Sequence, residues 1–264
     1  MKVALCLYGL VGSTAGKSSD KKGGTKEVLN LCYDAFKKMI IDKNDTDVFF
    51  HTWDTDVENE LVEKYEPKKY HCENQIVFPM GKWANDVCTK YEGKVNFDIR
   101  KRIQSHYSRW YSTQEVLDLK SQHENEKGFK YDMVMICRFD VVWNKPVIFK
   151  QFNNELFYIS NTYKRNKPWG WPFGKEMDEV DDLWFFSNSV NMDRFGILFE
   201  MIDSYMESGC PDYNGISNHM LAKWHLEKLG LLPDSIGFAF RNDWFGMTFL
   251  HTSPTARHFY GVKI

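Results

Sequence analysis

Residues 131–140 read Tyr131-Asp132-Met133-Val134-Met135-Ile136-Cys137-Arg138-Phe139-Asp140. The apolar run from Met133 to Cys137 is too short for a globular helix and fits a strand buried on both faces. It ends on two charges. An unpaired charge at the mouth of a buried strand is costly, and side chains two apart in an extended chain share a face. The decapeptide therefore predicts a buried strand that delivers Arg138 and Asp140 together to its end, as an ion pair or as ligands for something else. Two earlier segments share this design. Lys2 to Tyr8 is a short apolar run stopped by Gly9, and Asp47 to Phe50 is another, ending in His51-Thr52-Trp53-Asp54.

Helical spacing lies between these runs. It starts at Thr25, with Thr25 or Gly24 as N-cap, and places Val28, Leu29, Leu31, Cys32, Ala35, Phe36, Met39 and Ile40 on one side. A short helix is predicted over Glu58–Tyr65, a short strand over Gln75–Pro79 and a long helix over 97–127. Further strands are predicted over Leu156–Ser160 and Leu183–Ser187, and helices over Met192–Ser208 and Ser217–Leu229. The tail from Asp243, with His251 and His258, reads as loop. Alternating strands and helices with apolar strands predict an α/β fold: a Rossmann-like, mainly parallel sheet with helices on both faces. In such sheets ligands bind outside the carboxyl ends of the strands, where Gly9, Trp53-Asp54 and Arg138-Phe139-Asp140 all fall. With no repeat and no linker, 264 residues read as one domain.

The composition narrows the partners. Thirty-four basic and 36 acidic side chains leave a net charge of −2, too near neutral for a nucleic-acid or anionic-membrane binder. No apolar run approaches the ~20 residues of a membrane span. The first one meets Tyr8-Gly9 instead of a small-residue cleavage site, so it reads as a strand and not a signal peptide. The six cysteines are widely spaced, without a C-x-x-C pair, and read as free thiols in a cytosolic compartment. Aromatic residues reach 16%, which serves either a well-filled core or stacking on sugars and bases.

Gly9 to Ser18, Gly-Leu-Val-Gly-Ser-Thr-Ala-Gly-Lys-Ser, imitates a nucleotide-binding phosphate loop, but that motif requires glycine where Val11 stands. Lys17 in a flexible loop could still approach a diphosphate. The acidic run Asp178, Glu179, Asp181, Asp182 follows the aromatic loop Trp169–Lys175, and it reads as a solvated face or as catalytic carboxylates beside a lid. His51, His106, His219, His225, His251 and His258 show no zinc-motif spacing, and no G-x-S-x-G elbow supports a hydrolase.

Met1 to Gly9, Thr46 to Asp54, Gln104 to Ser108, Tyr131 to Val141 and Asp181 to Ser187, in that order, resemble glycosyltransferases of the GT-A fold. These are found in bacteria, phages and large algal viruses, where they build surface glycans. The resemblance implies transfer from a nucleotide-diphosphate sugar to a glycan or other hydroxyl acceptor. It implies a nucleotide-sugar half over 1–145 and an acceptor half over 146–264. The enzyme would be cytoplasmic, in the host cytoplasm for a viral member. Arg-x-Asp stands where relatives have Asp-x-Asp, so Asp140 would meet Mn²⁺ or Mg²⁺, with His251 closing the metal shell from the tail. Tyr8, Gly9, Lys17, Thr52, Trp53, Asp54, Gln104, Ser105 and Ser108 would face the donor. Arg138 would take leaving-group charge, and Asp181 or Asp182 would serve as acceptor base. Two rivals remain: a nucleotidyltransferase of the same fold class, and a non-catalytic sugar-binding protein.

Overall fold

The computed structural model describes residues 1–12, 25–160, 180–211 and 215–239, and the backbone alone of 249–251. Lys17, the Trp169–Lys175 loop, Asp178, Glu179 and His258 lie outside the described residues.

The chain is α/β. Strand β1 (Lys2–Gly9) is followed by α1 (Thr25–Met39), β2 (Asp45–Thr52), α2 (Glu58–Tyr65), β3 (Lys69–Cys72), α3 (Lys82–Tyr91) and α4 (Ile99–Lys127). Then come β4 (Met133–Arg138), β5 (Val141–Trp143), β6 (Phe157–Ile159), β7 (Trp184–Ser187), α5 (Ser189–Gly196), α6 (Leu198–Glu207), α7 (Asn218–Lys228), β8 (Ile236–Phe238) and β9 (Phe249–His251). The main sheet has seven strands in the order β3-β2-β1-β4-β7-β6-β8, and β5 pairs with β9 in a second, two-stranded sheet. Strands β1 to β4 run parallel, whereas β7 is antiparallel to both β4 and β6.

Alternation along the strands makes two cores. Val3, Leu5 and Leu7 of β1 pack with Met133, Met135 and Cys137 of β4 under α1 and α2. Ala4, Cys6 and Tyr8 face the other way, with Val134 and Ile136, onto α3 to α7. Both faces are covered, which is why these strands are apolar without interruption. The helix that matters most is α4. Asp98 caps its start by accepting from the backbone N–H groups of Arg100 and Lys101, and Gly128, at φ +70°, ends it in the left-handed conformation.

Three elements differ from the sequence reading, one of them β9 (Phe249–His251), a strand in the tail that reads as loop and one formed by pairing with β5. Another strand lies at Lys69–Cys72 and not at Gln75–Pro79: a polar edge strand carries little hydrophobic signal. Residue 78 instead meets a side chain, because the Gln104 amide donates to the Phe78 carbonyl and accepts from its N–H, both at 2.8 Å. The expected helix over 192–208 is two helices, α5 and α6, divided next to Gly196, where an added Cβ would lie 2.9 Å from Leu117 Cδ1 of α4. That glycine is set by helix–helix approach, and its low helix propensity makes it a natural break.

Candidate functional site

Sheet order places the site. From β1 the chain moves outward through β2 and β3, then returns to put β4 on the other flank of β1. The crevice between the carboxyl ends of β1 and β4 is therefore a topological switch point, the position at which open α/β sheets bind ligands. Because β7 runs antiparallel to β4, residues 181–183 before it reach the same end, and Arg138 N–H donates to the Leu183 carbonyl at 3.2 Å.

The β1 turn crosses this end on two left-handed glycines, Gly9 at φ +87° and Gly12 at φ +104°. Gly9 N–H donates to Ser112 Oγ of α4 at 2.8 Å, and Val11 N–H donates to Asp54 Oδ2 at 2.7 Å. A Cβ on Gly12 would lie 3.3 Å from the Asp140 Cβ, so glycine lets the turn lie directly against Asp140.

Arg138 and Asp140 form the fork that their spacing predicts. Arg138 Nε donates to Asp140 Oδ1 at 2.9 Å, and Nη2 donates to Oδ2 at 2.8 Å. The Arg138 side chain is 17% exposed and that of Asp140 is 2%, so a ligand meets the guanidinium before the carboxylate. Burial disfavours the Arg138 charge, but Asp140 beside it and Asp182 further off outweigh that and hold the group above its ordinary value.

Behind the fork lies a second, deeper pair. Arg109 Nε of α4 stands 3.5 Å from Asp182 Oδ2, and its Nη2 donates to the Asp182 carbonyl and to Tyr8 Oη, both at 2.7 Å. Tyr8 Oη in turn donates to the Asp182 carbonyl at 2.9 Å. Burial would push the Asp182 carboxyl up, but His219, Arg109, Arg138 and His106 together hold it well below the usual carboxylate range. His219, in the first turn of α7, donates from Nδ1 to the Val180 carbonyl at 3.0 Å and faces Asp182 Oδ1 at 3.8 Å.

The structure thus gathers Tyr8, Gly9, Arg138, Asp140, Asp181 and Asp182 at one end of the sheet. Tyr8 is buried, so its ring holds the Arg109–Asp182 pair and does not face a ligand. Thr52, Trp53 and Asp54 stand one strand away, with Gly9 in register with Thr52. Trp53 is buried, stacked on Tyr111 at 5.6 Å with His51 edge-on at 4.7 Å. Gln104, Ser105 and Ser108, expected to face the donor, make hydrogen bonds within the chain. Gln104 clasps Phe78, Ser108 Oγ donates to Gln75 Oε1 at 2.9 Å and Ser105 Oγ donates to the Arg102 carbonyl at 2.7 Å, so their polar atoms fasten residues 75–78 and the helix backbone. The backbone register of β9 puts His251 opposite Val141, next to Asp140.

Sequence reasoning missed Arg109, with His106 and His219 beside it. A signal existed: His106, Arg109, Ser112 and Thr113 recur at three- and four-residue spacing within α4, a polar stripe beside Ile103, Tyr107 and Trp110.

A dication does not fit the Asp140 position as the described side chains stand. Both Asp140 oxygens accept from Arg138, and a metal there would displace the guanidinium and then be repelled by it. Two other groups offer three ligand atoms within 4.8 Å of one another: Asp181, Asp182 and His219, and His51, His71 and Glu73. The first shares Asp182 with Arg109. No helix among the described residues is long and apolar enough to cross a membrane.

Compared with protein-family models and with curated proteins, the chain matches none.

Proposed function

We propose that the chain is a glycosyltransferase that moves a sugar from a nucleotide-diphosphate donor to a hydroxyl acceptor. The observation that carries this reading is the Arg138–Asp140 fork, whose cation is its more exposed member, at the switch point between β1 and β4. A glycine turn lies over it, which lets backbone approach a diphosphate closely. Catalysis on this reading is positioning plus stabilisation of the departing diphosphate by a fixed cation. Arg138 takes the developing charge. Asp140 is a positioning residue that locks the guanidinium, and the Arg109–Asp182 pair holds the floor beneath it. An inverting transfer also needs a base for the acceptor hydroxyl. Asp182 is a poor base because it is buried and held too acidic. The half-exposed side of the acidic turn, Asp181 with His219, takes that role, since donation from Nδ1 leaves the basic lone pair of a neutral His219 on Nε2.

The test is a melting-temperature panel of nucleoside diphosphates and nucleotide sugars, with and without Mn²⁺, followed by assay of diphosphate release. A matching nucleotide at a hundredfold excess over its dissociation constant stabilises the fold by about 2.7 kcal/mol. Indifference to every member of the panel overturns the reading. Stabilisation without turnover transfers the assignment to a sugar-nucleotide binding protein, and turnover only from a nucleoside triphosphate and a sugar phosphate transfers it to a nucleotidyltransferase.

A further inference from the structure

A second cluster lies at the β2–β3 edge, independent of the transferase reading. His51 of β2 and His71 of β3 are register partners across the parallel ladder, and their rings are 5.4 Å apart at 74°. Glu73 follows β3, and its Oε1 is 3.1 Å from His51 Nε2. Each imidazole is held from behind through its other nitrogen. His51 Nδ1 lies 2.7 Å from Ser112 Oγ, and His71 Nδ1 lies 3.3 Å from Glu115 Oε2, both partners coming from α4. That arrangement turns His51 Nε2 to Glu73 and leaves Nε2 as the other nitrogen of the His71 ring. Outer hydrogen bonds donated by Nδ1–H, one of them to a carboxylate, are the usual support of a metal-bound histidine.

The charge inventory points the same way. Glu73 and Glu115 have only histidines as ion-pair partners among the described residues, with no Lys or Arg against either. The cluster thus sets two glutamates against imidazoles, with no Lys or Arg counter-charge among the described residues. The His51 side chain is 0% exposed, that of Glu73 is 23% and that of His71 is 43%, so an ion enters past His71 and keeps an open position there.

We propose that His51, His71 and Glu73 form a three-ligand site for a transition-metal dication, with Zn²⁺ the ion that the donor set fits and water in the fourth position. Two imidazoles and a carboxylate suit zinc, whereas Mg²⁺ and Ca²⁺ take oxygen ligands. Zinc bonds of about 2.0–2.1 Å in a tetrahedron put ligand atoms about 3.4 Å apart. The observed separations, up to 4.8 Å, close by rotation of the half-exposed His71 ring toward the fixed His51. The site joins the edge strand β3 to its neighbour β2 through a metal. Glu115 and Ser112 act as positioning residues from α4.

The experiment uses the full chain, stripped with chelator and titrated with Zn²⁺ against a chromophoric chelator. One saturable equivalent is expected. His71→Ala lowers the affinity at least a hundredfold while the metal-free melting temperature stays at the wild-type value, because the residue is half-exposed. Glu115→Gln keeps every ligand and lowers affinity about 10- to 100-fold. Asp181→Asn leaves it unchanged, which separates this cluster from the acidic turn. Co²⁺ in place of Zn²⁺ gives the intense visible bands of a four-coordinate ion. Absence of a saturable equivalent, wild-type affinity in His71→Ala, loss of binding in Asp181→Asn, or the weak spectrum of six-coordinate Co²⁺ each overturns the assignment.

Discussion

The carboxyl ends of β4 and β3 lie at the same end of one sheet, yet they handle charge in opposite ways. At β4 two charge pairs close within the fold: Arg138 with Asp140, and Arg109 with Asp182. At β3, Glu73 and Glu115 meet histidines and no Lys or Arg among the described residues. In the first cluster each buried carboxylate of these pairs faces an arginine, and the more exposed member of the outer pair is the arginine, which suits an anion. The second is short of a cation and turns imidazole nitrogens inward, which suits a metal. Strand ends alone therefore do not define ligand chemistry. The counter-charges supplied by α4, arginine at position 109 and glutamate at position 115, set the sign of each site.

The hardest blow to this contrast is removal of the deep cation. Arg109→Met leaves Asp182 buried without its partner, at a cost of about 3–5 kcal/mol. Urea unfolding measures it, and Arg109→Met with Asp182→Leu recovers most of the loss. An equal loss in single and double variants would mean that the pair is not the floor of the site.

Next is the outward guanidinium. Arg138→Gln combined with Asp140→Asn removes both charges of the fork without stranding either. A charge-assisted hydrogen bond contributes about 1.5–3 kcal/mol, so nucleoside-diphosphate affinity falls roughly 10- to 100-fold. Calorimetric titration checks this, and unchanged affinity would move the anion site elsewhere.

A pH series sharpens the role of burial. Burial holds His106 and His225 each at about 4, against an ordinary 6.5. Between those values the unfolded chain binds protons that the folded chain does not, so stability falls as pH drops from 6.5 toward 4. Each histidine contributes a slope of up to about 1.4 kcal/mol per pH unit. Asp182, held low, adds its own loss only as pH falls through 3.8 and beyond, which separates the two limbs. His225→Phe flattens the upper limb in urea unfolding at stepped pH, and an unchanged slope would remove His225 from it.

The smallest effect tests the reassigned glutamine. Gln104→Leu loses both hydrogen bonds to Phe78 and costs about 1–3 kcal/mol. Nucleotide affinity stays at the wild-type value if Gln104 only fastens that segment, and a fall in affinity would return it to the ligand site.

The sequence by itself determined what local periodicity controls. Apolar runs over 3–7 and 133–137 specified buried strands, spacing by two put Arg138 and Asp140 on one face, and the three- and four-residue rhythm of 99–117 specified α4. Each is a property of a few consecutive residues, and the backbone geometry of a strand or helix translates it directly. Tertiary structure decided depth and partnership. Which member of the fork meets solvent depends on a glycine turn more than a hundred residues earlier in the chain. Arg109 and His219 reach Asp182 from two different helices, and His51 meets His71 only through the β2–β3 register. Gln104, Ser105 and Ser108 have the composition of a polar ligand face, yet their hydrogen bonds go to residues 75–78 and 102. A polar atom taken from water must find a partner, and that partner is chosen by long-range packing that no local pattern encodes.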